Sequence, residues 1–258
     1  MTTAKHDGAL MLGLVLGLTF GPLGCDDEPE EAPATSPAEP TEPAELTEVE
    51  MVAVMEGHYN SAIASHDALI RGDLETLRAH LGEIRERSLP DAAPEAWRVH
   101  ERRLHDAAEQ AANVTSIETA GPAMASVAEA CGACHAAVGL GDIYRQPRVP
   151  DGDDALEDAM LGHQWATERL WEGITGPWDD AWVRGANALA ASRVFGGDGG
   201  ETPSTGLLAL EAAMHEAGES AKTTTGLPAR AAAYGRLLTT CAACHREAAV
   251  SFDEVEAD

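Results

Sequence analysis

The chain has no run of alternating β-branched residues, few aromatic side chains and no cysteine to spare. Without alternating runs there is no strand signal. Four of the five cysteines fall in two short pentapeptides and the fifth is Cys25, so a disulfide framework is excluded. The sequences H-E-x-x-H and G-x-S-x-G and the phosphate loop are absent too. With them goes any recognisable acid/base or nucleophile constellation, and the chain is not expected to be an enzyme. Positive charge is also short: 17 Lys and Arg face 44 Asp and Glu, a formal net charge of −27. Ten of the acidic side chains lie within residues 26–50, which contain no Lys or Arg. Such a chain repels nucleic acid and anionic lipid and is steered toward a basic partner face. The blander reading of the same acidity is solubility.

What is present is Ala-rich sequence of helical character and two copies of one motif. Cys131-Gly132-Ala133-Cys134-His135 is echoed by Cys241-Ala242-Ala243-Cys244-His245. A C-x-x-C-H pentapeptide reads as a c-type haem attachment site. Two thiols three residues apart can each bond one vinyl group of a porphyrin, and the following His supplies the proximal nitrogen to iron. The competing readings are incidental His beside helical Cys pairs, or zinc held by the two Cys pairs.

Residues 1–24 have the layout of a secretory signal peptide, with Lys5 ahead of an apolar run from Ala9 to Phe20. Twelve residues are too few to span a bilayer comfortably. The run ends in Gly21-Pro22-Leu23-Gly24-Cys25, which resembles a bacterial lipobox and implies lipidation at Cys25. It departs from that pattern at Pro22 and in the placing of Leu23; the alternative is an ordinary cleaved signal with Cys25 free. Residues 25–46 are rich in Pro, Glu, Ala and Thr and predict a disordered, extended tether.

From Thr47 the period becomes helical. Met51, Met55, His58, Ala62, Ser65 and Leu69 share one face. Arg71-Gly72-Asp73 stops that helix and caps the next, which runs from about Leu74 to Arg87. A third helix is expected over about Glu95 to Ala112, and a fourth from Ile117 or Pro122 through His135. The order then repeats. Met160, His163, Thr167, Leu170 and Ile174 mark a fifth helix, Trp178 to Val194 a sixth, Leu207 to Ala221 a seventh, and Gly226-Leu227-Pro228 opens the eighth. Cys131 and Cys241 are 110 residues apart; His105 and His215 each precede them by 26. His58 and His163 precede them by 73 and 78, the difference fitting one insertion in the Gly-rich stretch 196–206. The register assigns the chain to two repeats, 47–145 and 153–250. Each is expected to be an up-down four-helix bundle with C-x-x-C-H near the end of its fourth helix.

That layout resembles the cytochrome c′ and cytochrome b562 type of bundle, by helix order and motif position and not by long identity. The Met55-Glu56-Gly57-His58 and Met160-Leu161-Gly162-His163 stretches also resemble bacterial cytochromes that begin each domain with Met-x-x-His. The resemblance implies two covalently bound haem c groups, with His135 and His245 as proximal ligands. It places the sixth ligand on the first helix of each repeat. His58 and His163 are the first choice, since neutral imidazole is the commonest ligand; Met55 and Met160, or a vacant position, are the others. His105 and His215, turned off the face centre, suit a haem-edge or propionate contact. His66, His80 and His100 have no counterpart in the other repeat and are expected to face solvent. The five Trp residues are expected in the core or against haem. The implied function is a dihaem cytochrome of the periplasm, tethered to the membrane by its lipid, passing single electrons between redox partner proteins. A gas-binding or peroxidase-like protein with one vacant iron is the alternative.

Overall fold

The computed structural model describes residues 47–140, 156–195 and 202–250, and within them are eight α-helices and no strand. The signal peptide 1–24, Cys25 and the tether 25–46 lie outside the described residues, as do the expected breakers Gly141, Pro147 and Pro150 and the tip of the Gly-rich stretch. The helices are α1 (Glu48–Arg71), α2 (Leu74–Glu86), α3 (Glu95–Ala112), α4 (Ile117–Val138), α5 (Leu156–Thr175), α6 (Asp179–Ala191), α7 (Thr205–Ala221) and α8 (Leu227–Glu247). Among the described residues no helix is long and apolar enough to cross a membrane.

Local chemistry sets these boundaries. Thr47 opens α1 with a capping box: its hydroxyl accepts from the Glu50 amide at 3.2 Å, and the Glu50 carboxylate accepts from the Thr47 amide at 3.1 Å. Gly72 ends α1 at φ 77°, a left-handed conformation that glycine adopts without steric cost. Asp73 caps α2, accepting from the Glu75 and Thr76 amides. Ser204 caps α7 through the Leu207 amide, so that helix begins inside the expected Gly-rich loop. The sixth helix stops at Ala191, three residues before the expected Val194, because the Val194 and Phe195 amides turn to the Glu211 carboxylate instead.

Successive helices pack on one another within each series, α1 to α4 and α5 to α8. The series are then joined along their fourth helices. Gly121 of α4 and Gly235 of α8 meet where the backbones nearly touch: a Cβ on Gly235 would lie 2.8 Å from the Pro122 Cα. The first helices also cross over. α1 packs more extensively on α8 than on α4, and α5 more extensively on α4 than on α8. Leu69, Leu77, Leu81, Ile84, Met124 and Val127 thereby share one core with Leu170, Ile174, Trp182, Leu189, Leu237 and Leu238. The boundaries 47–145 and 153–250 mark sequence repeats, while the packing unites their helices in one body.

Candidate functional site

Both pentapeptides lie in the last turns of a helix, Cys131 to His135 in α4 and Cys241 to His245 in α8. Three-residue spacing puts the two sulfurs of each pair on one side of the helix. All four thiols are free. Burial pushes the Cys131 and Cys241 thiols up to about 12. Cys134 and Cys244 are raised as well, by burial first and then by the carboxylates of Glu101 and of Glu211 and Glu247. Reactive C-x-x-C thiolates are favoured at positive helix N-termini. These thiols sit at the opposite pole, Cys241 buried and the other three partly exposed, where the helix dipole disfavours the thiolate.

The imidazoles after each pair are oriented from the far series. His135 Nδ1 lies 2.6 Å from the Thr175 carbonyl at the end of α5. A carbonyl only accepts, so Nδ1 carries the proton and the lone pair is on Nε2. At the end of α1 the Ile70 backbone occupies the corresponding place beside His245 and raises its pKa. Ile70 follows His58 by twelve residues and Thr175 follows His163 by twelve, so the two braces match in the repeat. Burial lowers the pKa of both imidazoles, partly offset by these bonds, and keeps the rings neutral. Gly132 is what lets α5 come so near: a Cβ there would lie 2.1 Å from the Ile174 carbonyl oxygen.

A cavity of roughly 610 Å³ opens on the second motif. Cys241, Cys244 and His245 line one part of it, with Met214, Val194 and Phe195 beside them. Its wall is predominantly apolar. The Cys241 thiol donates to Met214 Sδ at 3.7 Å. His163 and Met160, the two candidates from the first helix of this repeat, both line the cavity. His163 Nε2 is buried without a hydrogen-bond partner. Burial, with smaller contributions from His215 and His245, takes the His163 pKa down to about 4. A buried polar atom left unpaired calls for a physical account.

The first motif is furnished differently. His58 is buried, but its Nε2 donates to the Arg87 carbonyl at 2.9 Å, and His105 Nε2 donates to the same oxygen at 3.2 Å. The Arg87 guanidinium lies over Gly57, where a Cβ would meet it at 2.5 Å. Met55 is only partly buried on the same helix.

Other residues escaped the sequence reading. Glu101 accepts from the Leu89 amide, and Glu211 accepts from the Val194 and Phe195 amides at 2.7 and 3.0 Å. Each carboxylate staples the loop after its second helix close to a motif cysteine. Both precede their motif by 30 residues, a repeat signal that was available in the sequence. His66 corrects an expectation: it is buried and does not face solvent. Its Nε2 meets the Tyr234 hydroxyl at 2.8 Å, and that hydroxyl donates to the Thr167 carbonyl at 3.2 Å. Trp171 packs against both rings, joining α1, α5 and α8. Trp165, Trp171, Trp178 and Trp182 are buried as expected; Trp97 is half-buried.

No protein-family profile, curated protein or solved structure matches this chain. The arrangement of its own side chains is therefore what bears on function. That arrangement offers two thiol pairs, two neutral imidazoles with oriented Nε2 atoms, and one cavity with an uncommitted imidazole on its wall.

Proposed function

We propose that the chain carries two covalently bound haem c groups and passes single electrons between partner proteins. The observation that carries the reading is the bond from His135 across to the Thr175 carbonyl of the other series. Histidines that bind metal through one ring nitrogen commonly give the other N–H to a carbonyl, which fixes tautomer and ring direction. His135 gives that bond to the Thr175 carbonyl, and Ile70 is the matching neighbour of His245. An incidental His after a Cys pair has no reason to repeat it.

The residues fit the group. Cys131, Cys134, Cys241 and Cys244 would hold the group, each by adding its thiol S–H across a vinyl double bond, sulfur to one carbon and hydrogen to the other, with no oxidant required. His135 and His245 present Nε2 to the metal. His163 offers the opposing nitrogen, and its unpaired Nε2 is accounted for by that use. His58 takes the same part in the first repeat after releasing the Arg87 carbonyl, a bond worth about 1 kcal/mol net. Met55 and Met160 are the alternatives. A cavity of this size lies within the range of cofactor pockets, and most of its wall is apolar. Bound haem c supplies a one-electron iron couple, whose potential is lower with two His ligands than with His and Met.

The finer architecture belongs to this proposal: each series is an up-down four-helix bundle repeat of the cytochrome c′/b562 type holding one haem, the two repeats being fused through α4 and α8 with their first helices crossed. Export to the periplasm, cleavage after residue 24, lipidation at Cys25 and membrane attachment through residues 25–46 complete it. The acidic surface suits partners with a basic docking face.

A pyridine haemochrome assay on exported protein tests the reading. Two c-type haems per chain are expected, and one after Cys131→Ala with Cys134→Ala. A colourless exported chain, or one holding zinc without porphyrin, overturns it. The gas-binding or peroxidase-like alternative predicts rapid stoichiometric CO binding to the reduced protein.

A further inference from the structure

Arg169 is the least satisfied cation of the described residues. Its side chain is 6% exposed, on the wall of the cavity that Cys241, Cys244 and His245 share. Nη2 is paired with Glu172 at 2.7 Å and lies 3.6 Å from Glu168. The guanidinium carbon stands 5.5 Å from the Trp165 ring centroid. Nε and Nη1 are buried with no hydrogen-bond partner at all. A guanidinium has five N–H donors and cannot escape the cost of burial by losing its proton. Leaving its donors unmade is expensive, more so for a charged group than for a neutral one.

We infer that Arg169 is the carboxylate anchor of this cavity, receiving a propionate of the porphyrin attached at Cys241 and Cys244. The inference rests on the haem reading above and adds the residue that holds the far edge of the group. A porphyrin held through its vinyl groups at Cys241 and Cys244 would still have two carboxylates to place. A planar cation with uncommitted donors is the usual partner for a carboxylate. The other charged groups on this wall are Arg71, Asp67, Glu168, Glu172 and Glu211. The acidic members oppose a second carboxylate, and Glu172, whose Oε2 is also buried and unpartnered, already holds Nη2; Nε and Nη1 have no accessible surface, so the guanidinium must turn toward the cavity for them to meet the incoming group. The repeat supplies a contrast: six residues after His163 stands Arg169, and six after His58 stands Ala64. The anchor is therefore particular to the second site.

The test uses full-length chain produced without haem attachment, titrated with protoporphyrin IX and with its dimethyl ester while porphyrin fluorescence is followed. The free acid is expected to bind one site at least tenfold more tightly than the ester. Arg169→Leu should abolish that preference, and Arg169→Lys should retain part of it. The acid-to-ester ratio in the unsubstituted chain needs no variant, so misfolding of Arg169→Leu does not protect the inference. A ratio near one, or a preference unchanged in Arg169→Leu, overturns the anchor and leaves the haem reading intact. No binding of either porphyrin, together with exported protein free of haem, overturns both.

Discussion

Replacing Gly132 with Ala tests the crossed brace directly. The new Cβ would stand 2.1 Å from the Ile174 carbonyl oxygen, on a backbone that no rotamer change can move aside. Ordinary contact needs roughly 3.5 Å, so the end of α5 must retreat by more than ~1 Å. The Thr175 carbonyl, one residue on, holds His135 Nδ1 at 2.6 Å. Such a retreat carries it to the limit of roughly 3.5 Å for a hydrogen bond. Overpacking costs about 1–3 kcal/mol, and the lost bond about 1 kcal/mol. Alanine returns about 1 kcal/mol through helix propensity. A net loss of about 1–3 kcal/mol lowers Tm by roughly 2–12 °C in a body of this size. Thermal unfolding followed by circular dichroism at 222 nm reads the loss, and, under the proposed haem reading, EPR of the oxidised protein should show one of two signals altered. The corresponding residue in α8 is already Ala242, so the second signal should stay unchanged. A Gly132→Ala protein that melts within a degree of the parent with both signals intact would refute the reasoning.

Three further outcomes are expected. Gly235→Leu forces α8 off Pro122 and should cost about 2–3 kcal/mol by denaturant unfolding, one of the larger single-residue losses in the chain. Asp73→Ala removes the cap of α2 and should cost about 1 kcal/mol, with Asp73→Asn nearly restoring it. Hydrogen bonds from Thr76 hold the Asp73 pKa below its ordinary value, so this stabilisation is present above the unfolded pKa and fades as pH falls through the folded one. The deficit of Asp73→Ala measured at pH 7 should therefore shrink in acid. Finally, if the proposed haem ligation holds, His163→Ala should convert one haem from low spin to high spin and give it CO binding, whereas a Met160 ligand would leave the EPR spectrum of that variant low-spin.

Helix ends and helix faces were legible in the sequence because their causes are local. Thr47 at the start of the first period and Gly72 followed by Asp73 act within a turn of the residues they serve, whereas Ser204, an equally local cap, was passed over inside the Gly-rich stretch. The face from His58 through Leu69 is buried for the same reason that its apolar residues recur at helical spacing. His66 escaped this logic. It lies one position past Ser65, and its burial depends on Tyr234 and Trp171 arriving from elsewhere in the chain. Glu101 and Glu211 could have been found by aligning the repeats, but what they staple becomes visible only when the loop amides are in place.

By itself the sequence determined that there are two matched motifs, where they fall on their helices, and that the chain is helical, since each follows from short-range spacing, capping and period. Tertiary structure decided which series steadies which imidazole. Periodicity says that a helix turns a face inward but not toward which neighbour. Only the near contact of α4 with α8, permitted by Gly121 and Gly235, and that of α5 with Gly132 brought the Ile70 backbone and the Thr175 carbonyl across to the opposite motifs.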